Sequence, residues 1–282
     1  MGEHTKISWT NHTFNSWWVC TKVSPGCDHC YAEAWARRMG YEWGKTAPRR
    51  FFGKKHWNEP LRWNEKAKRE GVRQRVLCGS MCDVLDTWRG TPIFPDSMRD
   101  WETWKLIVGG DGWLGVARYR LWQLIDNTRS LDWLLLTKRP ENYKSMLPRH
   151  WFNRNMWIGT TVESPEYLWR AKAIATVPAV VHFISWEPGL AYVDFRQVCA
   201  DRAKNWWVIG GGESGPDCRP FDLHAARRVR NDCREVGARF FLKQLGGHPD
   251  KQDDPTAWPN DLRIQEFPQV IVHQNVDKLS EI

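Results

Sequence analysis

The chain has 282 residues, 41% of them hydrophobic, which is enough for one large or two small domains with a packed core. No stretch approaches the about 18–20 consecutive apolar residues of a membrane span, so we expect no membrane partner. Lys and Arg outnumber Asp and Glu by 41 to 33, and the resulting charge of +8 is compatible with a nucleic-acid partner. The polar start Met1–Lys6 has no signal-peptide pattern, which predicts a cytoplasmic location.

Three cysteines lie close together near the N-terminus, in the segment Cys20-Thr-Lys-Val-Ser-Pro-Gly-Cys27-Asp-His-Cys30. No fourth ligand for a tetrahedral zinc site is nearby, unless His29 or a distant residue supplies it. Three thiolates with one open position are what a reactive iron–sulfur cluster needs, because the fourth iron can then bind a substrate or cofactor. We therefore predict that these three cysteines bind a metal. The other five are predicted to be small buried side chains: Cys78, Cys82, Cys199, Cys218 and Cys233.

Six short apolar runs recur along the chain, and helical patterns accompany them. The runs are 75–80, 133–137, 156–160, 181–185, 206–210 and 239–243, and the helical patterns are 31–39, 117–126, 165–174 and 223–236. Each run is continuous rather than alternating, as expected of strands buried on both faces of a parallel sheet. Repeated strand–helix units with right-handed crossovers predict an α/β fold, with the parallel strands in a partial or full (β/α) barrel.

Two segments do not follow this rhythm. Residues at about 87–115 carry four tryptophans and are predicted to form an insertion, since a loop of this length is usually a lid or a binding element. The tail 246–282 is rich in Pro, Asp and Gly and is predicted to lie as a C-terminal strap over a barrel formed by residues 1–245.

Each predicted strand ends in a charged or hydroxyl-bearing residue. In a (β/α) barrel the chemistry lies at the carboxyl ends of the strands, so these side chains are expected to meet on one rim. Any one of them alone would more often be a helix cap or a loop charge. The set as a whole predicts a functional rim. Its members are Cys82 and Asp83; Lys138 and Arg139; Thr160, Thr161 and Glu163; Glu187; Glu213; and Lys243.

Several motifs, in chain order, carry a resemblance to a known family. They are Ile7–Asn11, the cysteine segment followed by Tyr31–Glu33, Leu136–Pro140, Ser185–Pro188, Gly211–Gly215 and Phe241–Gln244. Together they resemble the phage-associated, three-cysteine branch of the radical S-adenosylmethionine superfamily. The spacer of six residues between Cys20 and Cys27 departs from the superfamily's commonest spacing, and it is similar to that of the phage branch.

The resemblance implies a radical-SAM-like barrel with a [4Fe–4S] cluster on Cys20, Cys27 and Cys30. S-adenosylmethionine would bind the open iron, and its reductive cleavage would give a 5′-deoxyadenosyl radical that abstracts a substrate hydrogen. An electron donor such as flavodoxin or ferredoxin is implied as a partner. This chemistry belongs to the cofactor, and the protein positions and shields it.

The resemblance also implies which residues bind S-adenosylmethionine. The amino group would be bound by Ser80, Cys82 and Asp83. The carboxylate would be bound by Lys138 or Arg139. The ribose hydroxyls would be bound by Thr160, Thr161 and Glu163. A basic side chain suits the planar carboxylate. The catalytic residues left for the substrate or the adenine ring are Glu187, Glu213 and Lys243.

Phage members of this branch resemble enzymes of DNA hypermodification, which implies a base substrate and a location in the host cytoplasm. The favoured reaction is isomerisation of a glycine-modified thymine in DNA, with the base flipped out of the helix. Twenty tryptophans offer stacking surfaces for unpaired bases. We expect a basic, tryptophan-bearing surface from Arg49–Lys55 and Trp88–Trp113 beside the cavity mouth. A free nucleotide would also fit.

Other functions stay open from the residues alone. One is a radical S-adenosylmethionine enzyme that acts on RNA or a small metabolite. Another is a zinc-stabilised nucleic-acid-binding protein without catalysis, although structural zinc sites favour paired C-x-x-C knuckles and this chain has one pair. A methyltransferase is disfavoured, because the glycine-rich stretch Gly211–Gly215 comes too late in the chain.

Overall fold

A computed structural model describes residues 5–95, 112–148, 155–201 and 204–270. The strands are β1 His12–Phe14, β2 Trp17–Trp18, β3 Arg49–Phe51, β4 Gln74–Cys78, β5 Pro92–Ile93, β6 Leu131–Thr137, β7 Met156–Thr161, β8 His182–Trp186, β9 Trp206–Gly211 and β10 Arg239–Gln244. The helices are α1 Tyr31–Arg38, α2 Lys54–Trp57, α3 Glu59–Glu70, α4 Gly112–Asp126, α5 Tyr143–Met146, α6 Leu168–Ala175, α7 Arg196–Cys199 and α8 Leu223–Val236. Across these ranges, none of the helices has the length and apolar character that crossing a membrane requires.

Seven strands form one all-parallel sheet, in the spatial order β1-β4-β6-β7-β8-β9-β10. The spatial order follows the chain, and the sheet curls into a half-barrel. The predicted α/β fold with a partial barrel of parallel strands is therefore confirmed. Because all seven strands run in one direction, their carboxyl ends share one edge, and the loops that follow them meet there.

The six apolar runs all become strands of this sheet, with bounds that differ by a few residues. The first strand was not predicted, because His12–Phe14 is only three residues long and carries no apolar run. It pairs in parallel with β4 through His12↔Val76 and Phe14↔Cys78. A second sheet of three short strands, β2-β3-β5, was also missed for its shortness.

Burial on both faces explains why the runs are continuous rather than alternating. Successive residues of a strand belong to different clusters. Val76 packs with the helices, whereas Leu77 packs on the concave side of the half-barrel. The concave cluster is rich in aromatic rings. Its buried members are Trp9, Leu77, Leu134, Trp157, Val181, Phe183, Trp207, Ile209 and Phe241.

The predicted insertion and strap are described only in part. Within the insertion, Trp101 and Trp104 lie outside the described residues, while Trp88 and Trp113 pack beside the small sheet. The tail up to residue 270 runs along β10, where the Glu266 N–H donates to the Phe240 carbonyl at 3.0 Å. The Trp207 Nε1–H donates to the Glu266 carbonyl at 2.9 Å, which ties the tail to the concave cluster.

The concave cluster depends on a glycine in β7. A Cβ atom on Gly159 would lie 2.2 Å from the Phe183 ring, which the surrounding core prevents from moving aside. Gly159→Ala should therefore lower the free energy of unfolding by about 1–3 kcal/mol, as overpacking does, in urea denaturation. Gly215→Ala is the matched control, because a Cβ atom there would lie 3.5 Å from its nearest neighbour, the His29 carbonyl oxygen, which is an ordinary van der Waals distance. Equal stability of the two variants would contradict this packing.

Candidate functional site

A cavity of about 720 Å³ opens at the carboxyl edge of the half-barrel. This volume lies within the about 300–1,000 Å³ of ligand pockets. Its walls come from the loops that follow five strands of the sheet, together with α1. Predicted site residues that line it are Cys20, Cys27, Cys30, Ser80, Cys82, Asp83, Lys138, Arg139, Thr161, Glu187 and Lys243.

Three predicted residues lie outside this lining, each with a partner of its own. The Thr160 hydroxyl donates to the Thr137 carbonyl at 2.8 Å. Glu163 is fully buried and pairs with Arg170 at 3.0 Å. Glu213 pairs with Arg219 and also accepts its backbone N–H at 2.8 Å. Although burial favours the protonated form, the hydrogen bonds from Arg219 hold the pKa of Glu213 below its ordinary value.

Asp83 lines the cavity, and its carboxylate is occupied by neighbouring protein groups. It accepts hydrogen bonds from the Leu85 N–H at 3.0 Å, the Thr137 hydroxyl at 2.7 Å and the Lys138 N–H at 3.0 Å. It also pairs with Arg139 at 2.9 Å. With four donors on two oxygens, Asp83 holds the end of β6 against the loop after β4. Because protein groups occupy both of its oxygens, Asp83 positions neighbouring segments and does not offer a free carboxylate to a ligand.

Two buried arginines clamp the residue that follows Cys20. Arg139 donates to the Thr21 carbonyl at 3.0 Å, and Arg49 donates to the Thr21 hydroxyl at 2.8 Å. Arg49 is in turn paired with Asp86 at 2.9 Å, with both side chains almost completely buried. Thr21 and Asp86 were not predicted as site residues, because their contacts join distant positions and no motif marks them.

The burial of Arg49 corrects one expectation about the surface. We expected Arg49–Lys55 and Trp88–Trp113 to supply an exposed basic surface with tryptophans. Arg49 is completely buried, and its guanidinium lies 5.1 Å from the ring of Trp88, which is itself buried. The expectation is wrong for these two residues, because Arg49 neutralises Asp86 in the interior.

The cysteine loop covers one side of the cavity. Cys27 ends a short 3-10 turn, Cys30 directly precedes α1, and all three cysteine residues are half-buried, with the Cys20 thiol on the inner side. Burial, followed by the nearby charge of Asp83, raises the pKa of Cys20 to about 12. The free Cys20 thiol is therefore protonated near neutral pH, and a metal that binds it must displace that proton.

The donor chemistry of this loop fits an iron–sulfur cluster, since three thiols from one segment face a common cavity. Among residues 5–95, 112–148, 155–201 and 204–270, no three His, Cys, Asp or Glu side chains are placed to hold a metal ion. Binding of a cluster would therefore require the thiols to draw together.

The rest of the lining combines basic groups with hydroxyls. Lys243 pairs with Glu187 at 2.8 Å, and the Ser185 hydroxyl donates to the same carboxylate at 3.4 Å. The Lys138 ammonium lies 3.4 Å from the Thr161 hydroxyl. Such a set offers ammonium and hydroxyl groups to an anionic ligand group.

Two further residues shape the loop after β4. Asn15 accepts a hydrogen bond from the Met81 N–H at 2.7 Å and donates to the Ser80 hydroxyl at 2.9 Å. The Tyr31 hydroxyl donates to the Ser80 carbonyl at 2.7 Å. Tyr31 stands in a quoted motif beside Cys30 and could have been singled out. Asn15 had no signal in the sequence.

These features define the class of the protein as a parallel half-barrel with a cysteine-lined ligand cavity at its carboxyl edge. The chain belongs to the family described as protein of unknown function (DUF5131), whose profile matches residues 4–102 and 113–278. Neither the curated proteins nor the solved structures include a match to it. The family description states no activity, so the function is argued from the site.

The contact between Asp83 and Arg139 provides a test of how the cysteine loop is held. Asp83→Asn removes the nearer of the two buried carboxylates that pair with Arg139, leaving Asp86 at 3.7 Å, and breaking such a buried pair costs about 3–5 kcal/mol. We expect a loss of this size in urea unfolding, with faster amide hydrogen exchange around Thr21. Glu235→Gln, at a surface pair with Arg196, should cause a much smaller loss and no change in exchange at the loop. Unchanged exchange near Thr21 in Asp83→Asn would contradict the clamp.

Proposed function

We propose that this protein is a radical S-adenosylmethionine enzyme that modifies a nucleic-acid base. One observation carries the proposal: the three thiols of a single loop line the same cavity as polar groups from several strand ends of a parallel half-barrel. Cys20, Cys27 and Cys30 would hold a [4Fe–4S] cluster and leave one iron open. When bound, the cluster and S-adenosylmethionine would supply a carbon radical able to remove a hydrogen atom.

The side chains of the cavity divide into those that bind and those that orient. Lys138 is suited to the carboxylate of S-adenosylmethionine, since within the described ranges no carboxylate forms a salt bridge with it. Thr161 offers a hydroxyl to the ribose. Asp83 and Arg139 occupy each other, so in this proposal they position the cysteine loop instead of binding the cofactor.

The substrate end of the cavity would be the Lys243–Glu187 pair, where an anionic group or a transferable proton can be held. The proposed reaction is isomerisation of a glycine-modified thymine in phage DNA. Six basic and two acidic side chains line the cavity, which supports an anionic substrate. Flavodoxin or ferredoxin would donate the electron, and the host cytoplasm would be the location.

The metal content tests the first part of this proposal. Protein purified without oxygen should be brown and carry about four irons and four sulfides per chain. Replacing Cys20, Cys27 or Cys30 by Ala should in each case abolish the colour and most of the iron. Cys218→Ala is the matched control, because Cys218 does not line the cavity and is half-buried like the loop cysteines, so the prediction that it is buried is wrong. Colourless protein with one tightly bound zinc would contradict the proposal.

The Lys243–Glu187 pair tests the second part. Incubation with S-adenosylmethionine, dithionite and DNA containing glycine-modified thymine should yield an isomeric nucleoside detectable by mass spectrometry. Glu187→Gln removes the charge opposite Lys243, so product formation should fall by about 10²-fold or more, as for loss of a proton-transferring group. Iron content and colour should stay at the wild-type level. Wild-type turnover in Glu187→Gln would show that the pair does not face the substrate.

A further inference from the structure

Aromatic side chains form one wall of the cavity, beside the cysteine loop. Tyr31 and Trp35 lie on α1, and Trp43 lies on the segment that follows this helix. Tyr31 is 50% exposed, and both tryptophans are partly exposed. Aromatic rings with accessible surface in a cavity can stack on another flat ring. None of these three residues has a part in the site described above beyond the contact of Tyr31 with Ser80.

Contacts behind this wall hold it in place. Trp35 meets Trp18 edge to face, with ring centroids 4.7 Å apart. The Arg50 guanidinium lies 4.7 Å from the Trp18 ring and 5.1 Å from the ring of Tyr41, close enough for cation–π attraction. A wall that is already ordered loses little conformational entropy when a ligand binds.

Lysines from three separate segments reach the same cavity. They are Lys6 of the N-terminal segment, Lys22 of the cysteine loop and Lys251 of the C-terminal tail. Lys22 pairs with Glu33 at 2.8 Å and Lys251 with Asp253 at 2.6 Å, whereas Lys6 forms no ion pair with the described residues. Three chain segments therefore contribute basic side chains to the cavity that the aromatic wall lines.

The acidic residues of the lining do not cancel this charge. Asp83 is paired with Arg139, and Glu187 is paired with Lys243. The lining as a whole has six basic and two acidic side chains. Glu33 and Asp253, outside the lining, neutralise Lys22 and Lys251, which leaves an excess of two positive charges, on Lys6 and Lys138. A concave surface with one excess charge concentrates ligands of the opposite sign.

We propose that the cavity mouth, formed by the aromatic wall and the lysines Lys6, Lys22 and Lys251, binds one unpaired nucleotide of a polynucleotide strand. The base stacks on Trp35 and Trp43, and the adjoining phosphates lie beside Lys6 and Lys251. Stacking platforms combined with basic grooves are how proteins hold single strands, and the same arrangement receives a base that has been flipped out of a duplex. The purpose of this binding rests on the proposed function, but the binding itself requires neither iron nor S-adenosylmethionine.

Fluorescence anisotropy with a labelled single-stranded oligothymidylate tests the aromatic wall, in the full-length chain. Trp35→Ala and Trp43→Ala should each weaken binding by about tenfold, the usual effect of losing a stacked base. Trp169→Ala is the matched control, because Trp169 is 45% exposed on α6 and does not line the cavity. Unchanged affinity in both wall variants, or an equal loss in the control, would overturn the inference.

The salt dependence of the same binding tests the lysines. Log affinity for a single strand decreases linearly with log salt. The steepness of this decrease should be smaller by about 0.7 for each phosphate that Lys6→Ala or Lys251→Ala no longer neutralises. Lys172→Ala, on the exposed part of α6, should leave the slope unchanged. An unchanged slope in the first two variants would overturn the placement of the phosphates.

Competitors identify what the mouth recognises. Thymidine monophosphate should compete much more weakly than the oligonucleotide, because it offers one phosphate, and poly-glutamate should compete weakly, because it has no bases to stack. Competition by poly-glutamate as strong as by DNA would overturn the proposal, since the mouth would then bind acidic polymers in general. Equal competition by the mononucleotide would overturn the recognition of a strand. If the wall variants behave as expected in protein without iron, the nucleotide site stands even where the radical proposal fails.

Discussion

The arrangement of the cavity depends on the buried charge network that joins the cysteine loop to the strand ends. Asp83 accepts hydrogen bonds from three groups at the end of β6, one of which is the Arg139 guanidinium. Arg139 also donates to the Thr21 carbonyl and so links the cysteine loop to the strand end. At the other end of the loop, Arg219 donates to the Pro25 carbonyl at 2.8 Å while it pairs with Glu213. Because Asp83 and Arg139 are both buried, removing the charge of one takes from the other its nearest buried counter-charge. The cysteines are thus held from both sides.

The parallel sheet explains why such a loop lies over a cavity. Along the concave face, aromatic rings fill the lower part, where Trp207 packs edge to face on Trp157 at 6.0 Å and on Phe241 at 6.1 Å. Further along the strands the side chains become Thr161, Ser185 and Lys243, and the face becomes polar. The apolar rings fill the lower part of the concave face, and the cavity lies above them at the carboxyl edge. In this respect fold and site are a single feature of the strand pattern.

The strands and the cavity location could be predicted from the sequence, because long apolar runs and polar strand ends are local signals. Residues that face a ligand could not be distinguished from residues that hold others in place. Glu163, Glu213 and Arg139 look alike in sequence to free rim charges, yet each has an ionic partner in the structure. The partner of Arg139, Asp83, is more than fifty positions away, so no local pattern indicates the pairing. The aromatic wall was missed for the same reason, since only the fold brings Trp35 and Trp43 to the same cavity as Lys6 and Lys251.

We propose above all that three thiolates hold a cluster whose fourth iron is open to S-adenosylmethionine. Electron paramagnetic resonance of the dithionite-reduced protein, recorded with and without S-adenosylmethionine, tests it directly. We expect a cluster signal whose g values shift when S-adenosylmethionine is added. In Lys138→Ala the shift at the same concentration should be much smaller, because that variant lacks the cation for the carboxylate. A cluster signal that S-adenosylmethionine leaves unchanged in the wild-type protein, or no cluster signal at all, would contradict it.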